Sequence, residues 1–276
     1  MSQSLSETEL QFVRELVREH SAIVLEPKKE YLVRARLQPL VKEEGLASIS
    51  DLVRQLRHTS YGKLHRRVIE AMTTNETSFF RDLTPFEALR DGVLPELIKK
   101  REESKCLNIW CGASSSGQEP YTMALVIREA LPESDVWKIK FFATDISTAM
   151  LLRCQEGKYN QMEVNRGLPA KMLLKYFSQE GLSWYVKEEL RKMIEFKTMN
   201  LVGTWLPFPK LDIVFLRNVL IYFDVETKKK ILAKIRDHLS PDGYLFLGGS
   251  ETTLNLDHAF ERVSICGTSC YRLRSV

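Results

Sequence analysis

The side chains best suited to bind a ligand in this chain of 276 residues are acids and amides that follow short apolar segments. Asp145 ends one such segment, and Asn218 comes shortly after another. Glu119 follows the apolar segment 107–111 and a turn of small residues. Side chains at the carboxyl ends of parallel strands gather along one edge of a sheet, where ligands bind in a crevice. The sequence therefore predicts a ligand crevice bordered by Glu119, Asp145 and Asn218.

The turn before Glu119 allows a ligand to approach the backbone closely. Gly112 and Gly117 enclose an alanine and three serines, and Pro120 fits the first turn of a helix, where its missing N–H costs nothing. A strand, a glycine turn and a helix start form a nucleotide-class pocket with free N–H groups facing the ligand. An acid at the tip of the next strand, here Asp145, is placed to bind ribose hydroxyls.

Glu119 narrows the choice of ligand. A carboxylate next to a diphosphate would repel it by roughly a kcal/mol or more at an effective dielectric of ~20. A compound with adenosine, an amino group and a sulfonium suits this acid better, which indicates S-adenosylmethionine. A second interpretation stays open, since the helix dipole alone favours an acid at a helix N-terminus.

Three other classes of protein could share a strand, a glycine turn and a helix start. A nicotinamide oxidoreductase would carry a three-glycine fingerprint, whereas here only Gly112 and Gly117 flank the serines. A nucleic-acid methyltransferase would need a stronger positive field than the net charge of +4, and for amino-group targets a proline-rich motif that is missing from 217–223. The third class is a non-catalytic signalling adaptor that binds S-adenosylmethionine, and it stays open as the alternative.

The elements that must position these residues alternate between strand and helix patterns, which predicts a parallel sheet with helices on both faces. The predicted elements are strands at 107–111, 139–144, 211–216 and 244–247, helices at 119–131, 147–156 and 226–239, and a final hairpin of 260–265 and 270–273. Residues 240–243 read as a turn, because proline presets φ and glycine supplies a positive φ. Residues 157–198 interrupt the alternation and are interpreted as an insertion whose strands 182–186 and 193–197 pair in an antiparallel element.

Residues 1–72 carry only helical patterns, beginning with a capping box at Ser6 and Glu9, and are interpreted as a separate all-helical domain. The domain boundary therefore falls between 1–72 and 73–276. Basic residues are frequent in the first domain: Lys28, Lys29, Arg34, Arg36, Arg54, Arg57, Arg66 and Arg67. They are either a solvated face balanced by neighbouring acids or a surface for an acidic partner.

Composition excludes several further classes. Five cysteines without metal-ligand spacing predict reduced thiols, a cytoplasmic protein and no metal site. The first residues lack the pattern of a signal peptide, and no apolar run approaches the ~20 residues that a membrane helix needs. The small net charge does not favour nucleic acid as a partner. We expect a monomer, because nothing in the sequence indicates obligate assembly.

Several segments together resemble the CheR family, the chemotaxis receptor methyltransferases, and the likeness extends over most of the chain. They are 75–81, 113–121, 143–146, 217–223 and 249–251. The resemblance implies a Rossmann-like methyltransferase domain with an inserted small antiparallel β-subdomain at 157–198, preceded by the all-α domain. It also implies transfer of a methyl group from S-adenosylmethionine to glutamate side chains of chemoreceptors, which leaves S-adenosylhomocysteine.

The resemblance also assigns roles to residues at matching positions. It implies cofactor contacts at Asn75, Thr77, Arg81, Glu119, Asp145, Asn200, Leu201, Asn218 and Val219. Within that set, Asp145 would bind the ribose of S-adenosylmethionine, and Glu119 would face the positively charged end of the same cofactor. Arg81 and Tyr222 are the candidates beside the reacting carbon, and segment 75–81 becomes part of the site rather than a linker. The roles of Ser250 and Glu251 stay open, because a capped turn explains them equally well.

The implied partner is the acidic helical methylation region of a chemoreceptor, met by the basic residues of the first domain. Some family members carry a longer glycine-bearing loop that binds a receptor C-terminal pentapeptide. Here only residues 178–181 join the flanking segments, so we expect no tight pentapeptide binding.

Overall fold

The computed structural model describes residues 5–26, 30–131 and 136–274. The chain divides into two compact units. The first comprises Met1–Thr74 together with Tyr222–Thr227, and the second comprises Asn75–Ile221 together with Lys228–Val276. Among the described residues, no helix is both long and apolar enough to cross a bilayer.

The first unit contains the helices α1 (Glu7–Ser21), α2 (Glu30–Glu43), α3 (Ile49–His58) and α4 (Lys63–Met72). The predicted capping box is confirmed, because the Ser6 side chain accepts from the Glu9 N–H while the Glu9 carboxylate accepts from the Ser6 N–H. Leucine and valine side chains from all these helices form one buried cluster. The all-helical prediction for this part of the chain is therefore confirmed for its described residues.

The second unit is built on helices and two sheets. Its strands are β1 (Cys106–Gly112), β2 (Lys138–Asp145), β3 (Lys158–Asn160), β4 (Phe177–Glu180), β5 (Ser183–Val186), β6 (Ile194–Thr198), β7 (Leu211–Leu216), β8 (Leu239–Leu247), β9 (Phe260–Ile265) and β10 (Thr268–Leu273). The helices, of which the last begins in the first unit, are α5 (Thr84–Ala88), α6 (Leu94–Lys100), α7 (Gln118–Ala130), α8 (Thr148–Glu156), α9 (Gln161–Asn165), α10 (Ala170–Tyr176), α11 (Glu188–Arg191) and α12 (Val225–His238). A five-residue π-helix, Leu89–Val93, joins α5 to α6.

The large sheet has the order β6-β2-β1-β7-β8-β10-β9. Its first five strands are parallel, and β10 runs antiparallel to β8 and β9. All six residues of β7 are buried, as expected for a strand covered on both faces. The predicted α/β fold with a Rossmann-like parallel sheet and a closing hairpin is confirmed, as is the small antiparallel sheet, of order β3-β5-β4.

Two details of the sequence prediction were wrong. Strand β6 does not pair with β5 but extends the large sheet, where Ile194 lies opposite Phe141 of β2. Residues 240–243 form no separate turn and belong to β8. The pairing of β8 with β7 jumps from Leu211–Leu239 to Ile213–Tyr244, so the segment bulges out of the ladder. A proline cannot donate a ladder hydrogen bond, and a bulge accommodates it without ending the strand.

Candidate active site

Asp145 lies at the carboxyl end of β2, as the sequence predicts, and is buried. Its carboxylate accepts from the Ser115 N–H and from the Ser147 N–H, both at 2.8 Å. One bond comes from the turn after β1 and the other from the residue that caps α8, so the carboxylate fixes the turn against the tip of β2. A carboxylate has about four acceptor sites, which is compatible with ribose hydroxyls binding to the same oxygens.

The glycine turn between β1 and α7 is bonded to side chains of α8 and β3. Gly117 has a φ of +96°, and a Cβ there would meet the Tyr159 hydroxyl at 2.8 Å. That hydroxyl donates to the Ser116 carbonyl at 2.8 Å, and the Cys154 thiol donates to the Ser115 carbonyl at 3.1 Å. Burial raises the pKa of Tyr159 and of Cys154, so both remain protonated donors at neutral pH. The turn is therefore held in one shape from its inner side.

Glu119, in the first turn of α7, does not stand as an isolated carboxylate. Its Oε2 accepts from the Arg217 guanidinium at 2.6 Å, and its Oε1 lies 3.5 Å from the Cys111 thiol. The Arg217 side chain is only 1% exposed and directly follows β7. The sequence alone did not predict a role for Arg217. The available signal was a basic residue placed at the end of a fully apolar strand, where its charge requires a partner.

Arg217 also reaches the segment that precedes α5. Its Nη2 donates to the Asp82 carboxylate at 2.7 Å and to the Arg81 carbonyl at 3.1 Å. The guanidinium carbon lies 5.5 Å from the centroid of the Phe86 ring. Its buried Nε has no hydrogen-bond partner among the described residues. A single buried cation therefore connects the start of α7 with the backbone of Arg81.

Segment 75–82 contacts the rest of the second unit at several residues. The Asn75 carbonyl accepts from the Ser115 hydroxyl at 2.8 Å, and the Phe80 N–H donates to the Thr122 hydroxyl at 3.1 Å. Phe79 is fully buried and contacts Tyr159 edge-on. These contacts place the segment against the glycine turn and α7.

The Arg81 side chain stays at the surface of this segment. Its Nη1 donates to the Glu76 carbonyl at 2.9 Å, and Arg81 itself is half-buried. Asp82, the next residue, has a φ of +64°, a conformation that is uncommon for residues other than glycine. The bond from Arg217 to Asp82 therefore holds one of the positive-φ residues of this segment.

Asn218 is bonded to the loop after β8. Asn218 has a φ of +59°, and its N–H donates to Glu251 at 2.8 Å. The same carboxylate accepts from the N–H groups of Gly248 at 2.7 Å and Ile221 at 3.3 Å. Glu251 therefore caps its own turn at Gly248 and also bonds the backbone after β7, so both interpretations of this residue remain compatible with the structure. Ser250 is exposed.

Asn200 and Leu201 lie in the turn after β6. The Met199 N–H donates to the Asp145 carbonyl at 2.9 Å, which brings this turn to the tip of β2. Inside the turn, the Val202 N–H donates to the Asn200 side chain at 3.1 Å. The Trp205 indole donates to the Leu201 carbonyl at 2.9 Å. The pair is thus adjacent to Asp145, as the predicted roles require.

Some of the predicted residues form two connected groups within the second unit. Contacts join Asn75 to the glycine turn and Asp145, and Glu119 through Arg217 to the Arg81 backbone. Tyr222 belongs to the first unit, together with the helical residues. The adjacency of Arg81 and Tyr222 beside a reacting carbon stays a prediction, as do the individual binding roles, including that of the half-buried Thr77.

The residues present fit S-adenosylmethionine. Two buried carboxylates, Glu119 and Asp145, flank the glycine turn, and their oxygens can accept from hydroxyl and ammonium groups. Glu119 shares its charge with Arg217, so the fit rests on these acceptor oxygens rather than on net negative charge. Among the described residues, no cluster of His, Cys, Asp and Glu has the arrangement of a metal site.

Comparison with known proteins agrees with this geometry. The family model described as "CheR methyltransferase, all-alpha domain" matches residues 8–73, and that described as "CheR methyltransferase, SAM binding domain" matches 75–267. The chain is 40% identical to "Chemotaxis protein methyltransferase 1" of Pseudomonas aeruginosa, over 98% of this chain and 100% of that protein. It is 38% identical to "Chemotaxis protein methyltransferase" of Vibrio parahaemolyticus over 98% of each chain. The Escherichia coli protein of the same name is 31% identical over 98% of this chain and 92% of its own.

Proposed function

Because the chain belongs to the CheR methyltransferase family and binds S-adenosylmethionine, we propose that it methylates glutamate side chains of chemoreceptors. The product would be a glutamyl methyl ester, with S-adenosylhomocysteine released. The observation that carries this proposal is the pair of buried carboxylates at the glycine turn, with Asp145 fixed by two backbone N–H groups and Glu119 paired with Arg217. The non-catalytic adaptor is not favoured, since the relatives are named methyltransferases.

The cofactor supplies an electrophilic methyl group on a sulfonium, and the protein supplies orientation. Asp145 would hold the ribose hydroxyls, with Asn200 and Leu201 next to it at the adenine. Glu119 would face the positively charged end, and Asn218 and Val219 would border the crevice at the carboxyl edge of β7. Asn75 and Thr77 would enclose the cofactor from segment 75–82.

The acceptor needs no general base. A glutamate carboxylate has an unperturbed pKa of about 4.3 and is already ionised at neutral pH. The residues of the site must align a carboxylate oxygen with the methyl carbon and exclude water. Arg81 suits the first task, because a guanidinium donates paired N–H bonds to a carboxylate. Its present bond to the Glu76 carbonyl is to a neutral acceptor, which a carboxylate can replace.

We further propose that the acidic methylation region of the receptor binds to basic residues of the first unit. Five of the described candidates already contact acids, carbonyls or a hydroxyl within that unit: Arg34, Arg36, Arg54, Arg57 and Arg67. Arg66 is exposed, and Lys28 and Lys29 lie outside the described residues. Exposed ion pairs contribute only ~0–1 kcal/mol, so an acidic partner can exchange with them. Binding should weaken with rising salt.

Tethering to a receptor C-terminal pentapeptide is not part of the proposed function. Strands β4 and β5 are joined by a two-residue turn, Gly181 and Leu182, with a φ of +59° at Gly181 and no extended loop. We expect a pentapeptide to show no micromolar binding in calorimetry, and a micromolar affinity would reverse this part of the proposal. A cytoplasmic monomer is also proposed, and light scattering would test its oligomeric state.

The decisive experiment measures transfer of a tritiated methyl group to membranes that contain chemoreceptors. We expect label in the receptor band that is released by mild base as volatile methanol, which marks a carboxyl ester. Label that resists base would contradict glutamate methylation. Binding of S-adenosylmethionine with no transfer to any receptor would instead favour the adaptor.

A further inference from the structure

We propose that Arg217 is a positioning residue that couples the cofactor acid Glu119 to the backbone of Arg81. This inference rests on the proposed function of the same site and deepens it. Arg217 itself touches neither reacting group in the proposal. It acts by fixing the segment that carries the residue proposed to orient the acceptor carboxylate.

The geometry requires a guanidinium. One nitrogen of Arg217 donates to Glu119 at 2.6 Å, and the other donates to Asp82 at 2.7 Å and to the Arg81 carbonyl at 3.1 Å. The planar fork of arginine spans partners on two sides at fixed angles, whereas a lysine ammonium is a single point charge. The Arg81 carbonyl is therefore bonded to the same side chain that binds Glu119 of α7, next to the bond from the Phe80 N–H to Thr122.

The environment of Arg217 is costly for a purely structural role. The side chain is 1% exposed, and its Nε lacks a partner among the described residues. A buried ion pair is often no more stable than apolar residues of similar volume, and an unsatisfied buried N–H adds a further cost. The position at the crevice edge, between an acid and a segment with positive φ values, explains why a charge is retained there.

A structural staple is the rival explanation, and the chain contains a matched control for it. Arg101 also bonds two carboxylates, Asp212 at 2.8 Å and Asp242 at 2.7 Å. Asp212 lies near the amino end of β7, away from the carboxyl edge that Arg217 follows. Substitution of Arg101 therefore shows how the loss of an arginine bonded to two carboxylates affects the fold at a position away from the proposed site.

The experiment compares Arg217→Lys, Asp82→Asn, the double variant and Arg101→Lys in the full chain. We expect Arg217→Lys to lower kcat roughly tenfold to a hundredfold, with the Kd of S-adenosylhomocysteine within about threefold. Asp82→Asn should lower kcat less. The double variant should match Arg217→Lys alone, because Asp82 acts through Arg217. Arg101→Lys should leave kcat unchanged.

Amide hydrogen exchange of segment 75–82 measures how firmly Arg217 holds this segment, and it needs no methyl acceptor. We expect faster exchange in Arg217→Lys and Asp82→Asn, and wild-type exchange in Arg101→Lys. Unchanged exchange in Arg217→Lys would overturn the inference, as would kcat losses of Arg217→Lys and Asp82→Asn that multiply in the double variant. A wild-type protein that binds S-adenosylhomocysteine but methylates no receptor would overturn the proposed function, while the exchange data would still decide the role of Arg217.

Discussion

Two arginines, each bonded to two carboxylates, lie at opposite ends of β7 and have different surroundings. Arg217 follows the carboxyl end, is 1% exposed and contacts Glu119 and Asp82. Arg101 lies near the amino end, is 22% exposed and contacts Asp212 and Asp242. Both clusters join parts of the chain that are distant in sequence.

The difference lies in what each cluster connects. Arg101 joins the end of α6 to β7 and to the bulge of β8, so its partners lie within or at the end of helices and strands. Arg217 joins α7 to a segment outside any helix or strand, in which Phe80 and Asp82 have positive φ values. An arginine bonded to two carboxylates therefore joins helices and strands at the amino end of β7, and holds segment 75–82 at its carboxyl end. The following predictions test that contrast, from the largest expected effect to the smallest.

The largest effect is expected at the carboxyl edge from Arg81→Ala. If Arg81 orients the acceptor carboxylate, kcat should fall by about a hundredfold, while cofactor affinity changes by less than about threefold. Methyl transfer and calorimetry would measure the two quantities. The control is Arg166→Ala, since Arg166 is exposed and pairs with Glu76 of the same segment. Comparable turnover in both variants would remove Arg81 from the catalytic role.

Gly248→Ala, at the same edge, should weaken cofactor binding about tenfold. A Cβ at Gly248 would meet the side-chain amide nitrogen of Asn218 and the Glu251 carboxylate, both at 2.7 Å. The backbone after β7 should therefore shift, and the Kd of S-adenosylmethionine should rise by about tenfold. At Gly249 a Cβ would meet nothing within 4 Å, so Gly249→Ala is the matched control. Equal affinities of the two variants for S-adenosylmethionine would show that the Glu251 contacts do not contribute to cofactor binding.

At the amino edge, Arg101→Met should affect stability and not turnover. The Asp212 side chain is 4% exposed and would lose its cationic partner. We expect the free energy of unfolding to fall by about 1–3 kcal/mol, measured in urea, and the kcat of the folded protein to stay at the wild-type value. A selective loss of kcat would end the functional distinction between the two arginines.

The smallest effect concerns acid stability. The Arg101 guanidinium holds the pKa of Asp242 below its usual value. A group with a lowered pKa adds stability that is fully present above its unfolded pKa of about 3.9 and is lost as pH falls through the folded value. The stability difference between wild type and Asp242→Asn should therefore be full near about pH 6 and shrink below about pH 4. A difference that persists unchanged into stronger acid would contradict this assignment.

Much of the carboxyl edge was predictable, because strand ends are local features of a sequence. Asp145 ends β2 and Asn218 follows β7 as expected from apolar runs that stop at a polar residue. The Arg217–Glu119 pair was not predictable, since its members come from different strand–helix units and only folding brings them together. The role of Glu251 was open for the same reason.

The two errors in the fold have a related cause. Strand β6 pairs with β2 rather than with its neighbour β5, and sequence patterning does not select between adjacent and distant partners. The bulge in β8 carries proline and glycine, which are typical of a turn, yet Asp242 within it bonds Arg101. Tertiary contacts override local turn chemistry at this position.

The hydroxyl of Tyr159 has a consequence for engineering the small sheet. Tyr159 lies in β3, and its bond to Ser116 supports the glycine turn from within. Replacing the small sheet with that of a relative would therefore also replace a residue that supports the glycine turn. A chimera should keep Tyr159 of this chain and exchange only residues of β4 and β5.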